Sequence, residues 1–312
     1  MNAPTTRDTV LIVGHGPLAD AYVRGLTYYG IGHSQTPHGG DAAQVIADSP
    51  GRCVVSVVNS PADLEVTAVA LAAGKHVYET EHSQRTRDQL AELDTHAGAH
   101  GVLLGTGPDA FLGQTVQTGR AVLAGGTIGP PLGADALLPP DGTGTDPDGA
   151  ALPAFLSGVV SLFGPIVSVS RVDPTNRSAG RSIALLSTGD GIQVRLAVTP
   201  AESDTVGVWI AGTTGRLRLQ HPGHYDRPVC LRRGEGTGWQ TVEPTIPPTT
   251  DRAGALFRGP GVRDLLAAVD GAPHRASAAR RVHLLDAVAA VLAVLDGANA
   301  ITLPAPLDLV TA

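Results

Sequence analysis

The pair Glu81–His82 has the clearest potential for chemistry in this sequence, where it closely follows the predicted strand Lys75–Glu79. A carboxylate beside an imidazole can give or take a proton, because histidine titrates close to neutral pH. A positioned acid or base contributes about 10²–10⁴-fold to a reaction rate. We therefore predict that Glu81 and His82 are catalytic. The alternative is an exposed turn between a strand and a helix with no chemical role.

A second arrangement of residues is suited to binding phosphate. The β-branched run Val10–Val13 ends in Gly14, and Gly16 and Ala19 complete the pattern G-x-G-x-x-A. This pattern permits a tight turn, a close approach of the backbone to a pyrophosphate, and close packing of a helix on a strand. The helix that begins there presents free N–H groups to a phosphate. The pattern predicts a dinucleotide-binding turn, and the alternative is a strand–helix turn that binds nothing.

The acidic residue that usually binds the ribose of a dinucleotide is missing. It stands about 20 positions after the glycines and accepts hydrogen bonds from the ribose hydroxyls. His33, Ser34 and Gln35 occupy that place, and no arginine is there for a 2′-phosphate. Asp41 comes later and is predicted to cap a helix. The sequence therefore leaves NAD, NADP and a lost cofactor site all open.

The elements that position these residues alternate between strands and helices in a first domain predicted over residues 1–123. Such alternation predicts a doubly wound parallel sheet. Besides the first strand and the first helix, which extends to Tyr29, the predicted strands are Cys53–Val58, Lys75–Glu79 and Val102–Leu104, with a short one inside Gly30–Gly40, and the predicted helices are Asp41–Asp48, Ala62–Ala73 and Arg85–Gly98.

The second domain, predicted over residues 124–312, has a different texture. Pro130–Gly149 is rich in Pro, Gly and Asp and is predicted to be a long loop. The segments beyond it alternate apolar and polar residues, which predicts an α+β domain with a large, open and mostly antiparallel sheet that has one buried face. These segments are Ile166–Val172, Ser182–Ser187, Gly191–Thr199, Thr205–Ala211, Arg216–Gln220 and Val229–Arg232. Two helices, Gly261–Asp270 and Ala276–Leu295, are expected to cover this sheet.

Composition limits the possible functions. A net charge of −7 and scattered basic residues argue against binding to nucleic acid. The longest uncharged apolar stretches are too short or too interrupted for a bilayer span, which needs about 20 apolar residues. Cys53 and Cys230 are the only two cysteines, and we expect both to be buried thiols in a reducing cytosol. We predict a cytoplasmic protein without a metal site.

Several motifs, in order along nearly the whole chain, resemble those of the Gfo/Idh/MocA oxidoreductases. They are Gly14–Ala19, Asn59–Pro61, Ala73–Tyr78 (AGKHVY), Pro108–Gly113 (PDAFLG), Gln117–Thr118, Arg258–Val262, Pro273–Ser277 and His283–Asp286. The resemblance implies a Rossmann domain followed by an α/β domain with a large open sheet, NAD or NADP as cofactor, and a sugar-like or other polyhydroxy substrate. It also implies a homodimer or homotetramer joined through that sheet.

The resemblance also implies roles for individual residues. The residues expected to contact the cofactor are Gly14, His15, Gly16, Leu18, Ala19, Ser34, Asn59, Ser60, Pro61 and Thr80. Asp109 is expected to line the active-site crevice and is the third residue that we predict as catalytic. The alternative for Asp109 is the N-cap of a helix that begins near Phe111.

The sequence departs from the family at its proton-transfer residues. Where the family typically has Glu-Lys-Pro, this chain has Thr80-Glu81-His82, so a carboxylate replaces the lysine that would hold a proton and stabilise an alkoxide. The Asp and the His or Tyr that the family often places before the Leu-Phe-Gly-Pro helix end fall on Ala150 and Ala154. A two-residue gap would instead bring Asp148 into that site.

Three interpretations follow from these departures. The chain is a redox enzyme with a relocated acid, a repurposed enzyme that performs an elimination, cyclisation or hydrolysis, or a non-catalytic binding or partner subunit. Glu81 and His82 would supply the base and the acid in either enzyme.

Two further groups of polar residues are given structural roles. His221 and His224 resemble a metal-binding pair but lie on a turn without a third ligand nearby in sequence, which favours a surface loop. Arg280, Arg281 and His283 are spaced like a solvated or interface face of the last long helix.

Overall fold

The structure, a computed structural model, describes residues 10–37, 42–58, 60–80, 85–138, 151–172, 182–198, 206–221, 223–234, 237–248 and 258–304. These residues form two β-sheets with helices packed against them. None of the helices within these ranges is long and apolar enough to cross a membrane.

The first sheet is parallel, with five strands in the order β2-β1-β3-β4-β5. Its strands are β1 (Val10–Val13), β2 (His33–Thr36), β3 (Cys53–Ser56), β4 (His76–Glu79) and β5 (Leu104–Thr106), and its connecting helices are α1 (Pro17–Tyr28), α2 (Ala42–Asp48), α3 (Glu65–Ala72) and α4 (Arg87–Ala99). A short 3₁₀ helix, Pro61–Leu64, precedes α3. The connection after β1 leads to β2 on one side of it, whereas the connection after β3 leads to β4 on the other side. The crevice between the carboxyl ends of β1 and β3 is therefore the switch point of the sheet, and in open α/β sheets ligands bind at such a point.

The prediction of a doubly wound sheet is confirmed. Every residue of β1 and β3 is buried, as expected for β-branched strands covered on both faces. The strand predicted at Val102–Leu104 lies two residues later, because Leu104–Thr106 are the residues that pair with Val77–Glu79.

The second sheet has nine strands in the order β13-β12-β11-β10-β6-β9-β8-β7-β14. They are β6 (Pro131–Leu138), β7 (Ile166–Arg171), β8 (Ser182–Thr188), β9 (Gln193–Val198), β10 (Gly207–Gly212), β11 (Gly215–Gln220), β12 (Val229–Arg233), β13 (Gln240–Thr241) and β14 (Ala300–Thr302). Neighbouring strands are antiparallel except β6 and β9, which run parallel. The prediction of a large, mostly antiparallel sheet is therefore confirmed.

The prediction of a loop from residue 130 onwards is wrong for its first part. β6 lies near the middle of the second sheet, paired with β10 on one side and β9 on the other. Its buried side chains are Ala134, Ala136 and Leu138. Small residues, a glycine and an initial proline hide the strand in the sequence, whereas two flanking strands supply its hydrogen bonds. Residues 139–149 of the predicted loop lie outside the described residues.

Four helices complete the described chain: α5 (Gln114–Ala124), α6 (Ala151–Phe163), α7 (Pro260–Val269) and α8 (Ala278–Leu295). Phe155 and Phe163 of α6 are fully buried in the core against the second sheet. α7 packs instead on β4 and β5 of the first sheet. A methyl group at Gly261 would lie 2.4 Å from the Tyr78 ring, so only glycine permits this contact. The boundary at residue 123 stays a prediction.

The expectation of a solvated or interface face on the last helix is wrong for two of its three residues, because Arg280 and His283 are buried inside the chain. The Arg280 guanidinium donates to the Ser157 carbonyl at 2.8 Å and lies 4.0 Å from the centre of the Phe111 ring. Burial lowers the pKa of Arg280 to about 9. His283 Nε2 accepts a hydrogen bond from the Ile166 N–H at 3.1 Å. Both side chains therefore hold α8 against the segments around α6.

The neutral state of His283 makes the fold sensitive to acid. Burial lowers the pKa of His283 from 6.5 to about 4, so the unfolded chain takes up the proton first as the pH falls. Its contribution is complete above pH 6.5 and is lost as the pH falls towards 4. Linkage gives a loss of about 2 kcal/mol by pH 5 from this residue alone. We expect His283→Gln, which cannot take up a proton, to remove that share of the loss between pH 7.5 and pH 5, measured by chemical denaturation.

The control for this measurement is His100→Gln, because His100 is exposed at the carboxyl end of α4. It should reproduce the pH dependence of the wild type. An unchanged pH dependence in His283→Gln would contradict the assignment.

Candidate functional site

The glycine turn lies directly beyond the carboxyl end of β1. Gly14 and Gly16 have φ values of 140° and 88°, which an L side chain adopts only with strain. A methyl group added at Gly16 would meet no atom within 4 Å, so the backbone there is open to a ligand. Pro17 opens α1, and no side chain caps the amino end of this helix. The arrangement is that of an anion-binding helix terminus.

Three further residues that are predicted to contact the cofactor lie in or next to this turn. His15 is exposed, Leu18 is half-buried, and Ala19 is fully buried where α1 meets the sheet. A small third residue is therefore required for packing, as the pattern predicts.

Ser34 does not lie at the carboxyl end of β2. It is the second residue of this strand and pairs with Leu11, whereas Thr36 is the last residue and pairs with Val13. The amide of Gln35 donates to the Gly14 carbonyl at 2.9 Å and so braces the glycine turn. The residue at the usual ribose position is thus Thr36, which carries no charge. Whether Ser34 contacts a cofactor stays a prediction, and Asp41 lies outside the described residues.

The carboxyl ends of β3 and β4 are tied together by Thr80. Its hydroxyl accepts a hydrogen bond from the Val58 N–H at 3.2 Å, and its own N–H donates to the Ser56 carbonyl at 3.1 Å. Ser60 is exposed and donates its N–H to Asp63, which orients the short helix that begins at Pro61. Asn59 lies outside the described residues. The cofactor contacts expected here stay predictions.

Glu81 and His82 also lie outside the described residues, but the residues on either side of their segment are well anchored. Glu79 is buried at the end of β4, and Arg85 donates to its two carboxylate oxygens at 2.9 and 2.8 Å. Thr67 donates to the same carboxylate at 2.5 Å, and Arg85 also donates to the Leu64 carbonyl at 2.6 Å. This ion pair therefore ties β4 to the chain that leads into α4.

Lys75 is the only lysine of the sequence. It precedes β4 at the amino ends of the parallel strands, and its ammonium donates to the Ser49 carbonyl at 2.7 Å. The four residues of β4 span about 13 Å at the usual rise of a strand, which separates Lys75 from the glycine turn. Lysine-based proton transfer at the carboxyl ends of these strands is therefore excluded.

Asp109 joins three segments at the junction of the two sheets. It is fully buried just beyond β5, and its Oδ2 accepts the Gly261 N–H at 2.7 Å in the first turn of α7. Its Oδ1 accepts the hydroxyl of Tyr225, and that hydroxyl accepts a hydrogen bond from Arg258 at 2.6 Å. Asp109 precedes the short helix Ala110–Leu112 but forms no side-chain cap there. It caps α7 instead, and its catalytic role stays a prediction.

The turn between β11 and β12, of which the structure describes His221 and residues 223–228, packs on the same junction. Gly223 lies against the first turn of α6, where an added methyl group would be 3.3 Å from the Ala154 side chain. Thr115 donates its N–H to the Tyr225 carbonyl at 2.9 Å, and its hydroxyl accepts the Arg227 N–H at 2.6 Å. This turn therefore packs beside Ala154, one of the two positions at which the resemblance predicts a polar residue.

The surface-loop interpretation of His221 is wrong. His221 is only 8% exposed, and its ring lies 4.1 Å from that of His224, edge to face. The motif Gln-His-Pro-Gly-His-Tyr was visible in the sequence, but its packing on α6 was not. Within the described chain, no group of three or more His, Cys, Asp or Glu residues could hold a metal ion. Cys53 is buried as expected, whereas Cys230 is only half-buried.

Comparison with known proteins rests on the fold. No family model matches the chain, and no curated protein matches its sequence. An NAD-binding oxidoreductase from Klebsiella pneumoniae superposes with a TM-score of 0.71 at 17% identity, covering 96% of this chain and 99% of that one. The chain has the fold of these oxidoreductases.

Two further structures have named ligands. The aldose–aldose oxidoreductase from Caulobacter crescentus, complexed with glycerol, matches with a TM-score of 0.70 at 15% identity over 95% of this chain and 100% of that one. An oxidoreductase from Agrobacterium radiobacter in complex with NAD⁺, L-tartaric acid and magnesium matches with a TM-score of 0.64 at 15% identity over 94% and 98%. At these identities the likeness concerns the fold alone.

The junction around Asp109 gives a prediction about stability. Asp109→Asn removes the charge that accepts two hydrogen bonds in a buried site, and we expect a loss of about 1–3 kcal/mol in the free energy of unfolding. Tyr225→Phe should be destabilising too, and the double variant should be less destabilised than the sum of the two, because they share one network.

Chemical denaturation measures these differences. Asp270→Asn is the matched control, since Asp270 is 64% exposed and pairs with Arg52 at the surface. It should change the free energy by less than about 1 kcal/mol. An equally small effect at Asp109 would show that the junction does not depend on its charge.

Proposed function

We propose that this chain is a cytoplasmic, Gfo/Idh/MocA-like NAD(P)-binding enzyme that acts on a small polar, sugar-like substrate with an atypical proton-transfer site. The single observation that carries the proposal is the open glycine turn at Gly16, placed at the switch point of a parallel sheet. The fold shared with an aldose–aldose oxidoreductase and with an oxidoreductase bound to NAD⁺ supports the same substrate and cofactor classes. We also propose a homodimer or homotetramer joined through the nine-stranded sheet.

The residues at the glycine turn fit a dinucleotide. Gly14 and Gly16 would hold the pyrophosphate beside the uncapped amino end of α1, and Thr36 would lie near the ribose. A bound nicotinamide supplies a hydride acceptor or donor. The chain itself braces the turn through Gln35 and ties the neighbouring strand ends through Thr80.

In this proposal Glu81 and His82 transfer the proton, because the only lysine, Lys75, is bound at the amino ends of the parallel strands. The ion pair of Glu79 with Arg85 supports the chain on either side of this pair. His82 can act as an acid near neutral pH, and Glu81 as a base, or the reverse.

The missing lysine also favours a second candidate, a non-redox enzyme on the same scaffold. An elimination, cyclisation or hydrolysis needs an acid and a base but no hydride acceptor. A non-catalytic binding subunit is the third outcome that the experiments below separate.

Cofactor binding tests the proposal directly. We expect NAD(H) or NADP(H) to bind with micromolar or tighter affinity in calorimetry. Gly16→Ala should weaken that binding at least tenfold, because a side chain there strains the turn and obstructs the approach of a pyrophosphate. No binding of either dinucleotide to the wild type would overturn the redox proposal.

Gly74→Ala is the matched control. Gly74 also has a positive φ, 72°, and open space around it, but it follows α3 at the amino end of β4. The two variants share backbone strain, so equal loss of binding in both would show that strain rather than the turn is responsible.

Turnover tests the assigned acid and base. In a screen of aldoses and sugar acids followed by nicotinamide absorbance, we expect Glu81→Gln and His82→Ala each to reduce kcat at least about tenfold. Unchanged rates in both would remove the pair from the mechanism. Product formation without an absorbance change would identify the non-redox enzyme.

A further inference from the structure

His221 adopts a backbone conformation that needs an explanation. Its φ of 44° makes it the one residue other than glycine with a positive φ in the described part of the chain. L side chains are strained there, and such strain often marks a functional site. The conformation is held by hydrogen bonds from the His221 N–H to the Val206 carbonyl at 3.3 Å and from the His224 N–H to the His221 carbonyl at 2.8 Å.

The imidazole of His221 forms no hydrogen bond of normal geometry with the described residues. Neither ring nitrogen has a partner among the described residues, although both atoms are buried and the residue is only 8% exposed. Buried polar groups are almost always hydrogen-bonded, because a buried donor or acceptor without a partner destabilises the fold. An orphaned imidazole beside a candidate active site therefore points to a ligand group that completes it.

Two arginines, Arg227 and Arg258, act on the histidines of this turn. The pKa of His221 is lowered to about 3, first by burial and then by His224 and Arg227. The pKa of His224 is also lowered, first by burial and then by Arg227 and Arg258. The amino end of α6 lies against the same turn and adds a positive partial charge. Arg227 and Arg258 can attract an anion to this turn, in which Asp226 carries the opposite charge, and the neutral His221 ring keeps one N–H to donate.

We propose that His221, together with residues 223–228, binds an anionic group, a carboxylate or a phosphate, of a small polyhydroxy substrate, with His221 donating a hydrogen bond to that group. The inference rests on the proposed function, since it places the substrate at the junction beyond the carboxyl ends of the first sheet. It adds a charge requirement to the substrate class.

Three probes of similar size test the charge requirement. Calorimetry of the full chain with D-gluconate, D-glucose 6-phosphate and neutral D-sorbitol should show at least one of the two anions binding about tenfold or more tightly than sorbitol. The better anion identifies the group as carboxylate or phosphate. Equal binding of all three, or no binding up to tens of millimolar, would overturn the proposal.

A substitution then assigns the binding to His221. His221→Asn removes the ring, and asparagine tolerates the left-handed conformation. We expect it to weaken binding of the preferred anion about tenfold. His100→Asn is the matched control, since His100 belongs to the other close histidine pair, with His96, at a ring separation of 4.3 Å on α4. An equal effect of both variants would refute a specific role for His221.

A spectroscopic measurement on the wild type covers the case in which His221→Asn fails to fold. In NMR spectra of the protein labelled with ¹⁵N at its histidines, the signals of the His221 ring should shift when the preferred anion is added and should not shift when sorbitol is added. Unshifted signals would contradict the proposal. The probes are titrated with and without NADH. Binding of the anion without binding of a dinucleotide would refute the proposed function alone. Binding of a dinucleotide without binding of the anion would refute this inference alone.

Discussion

The buried carboxylate of Asp109 is the constraint on which the geometry of the site depends. It accepts hydrogen bonds from the amino end of α7 and from Tyr225, so one charge joins the end of β5, the returning helix and the turn of the second sheet. A buried carboxylate is tolerated only where its hydrogen bonds are made. The two sheets therefore meet in one defined arrangement, and Arg258 offsets the charge by bonding to Tyr225.

The same constraint explains why the site can lose the residues expected from the resemblance and keep its shape. Residues 223–228 pack beside α6 at Ala154, and they are anchored by Asp109 and Thr115. Glu81 occupies the sequence position at which the resemblance predicts a lysine. Nothing in the described scaffold requires that lysine, because the strand ends are tied by Thr80 and by the ion pair of Glu79.

Sequence patterns were reliable where burial on both faces dictates the residue type. β1 and β3 are runs of apolar, mostly β-branched residues, and their places follow from that pattern alone. β6 was missed because its hydrogen bonds come from β9 and β10, strands more than 50 residues away along the chain. The prediction of a solvated or interface face on α8 fails for a related reason. Arg280 and His283 are buried because they bond to residues of other segments, Ser157 and Ile166.

By itself, the sequence determined the parallel first sheet, its glycine turn and the absence of a lysine beyond Glu79, because each is written in adjacent residues or in a single count. Only the tertiary structure decided that Lys75 is bound at the amino ends of the parallel strands, away from the glycine turn, and that Asp109 caps α7. It also decided that His221 is buried and that its ring nitrogens have no hydrogen-bond partner among the described residues. These three facts depend on contacts between segments far apart in the chain, which no local pattern of residues encodes.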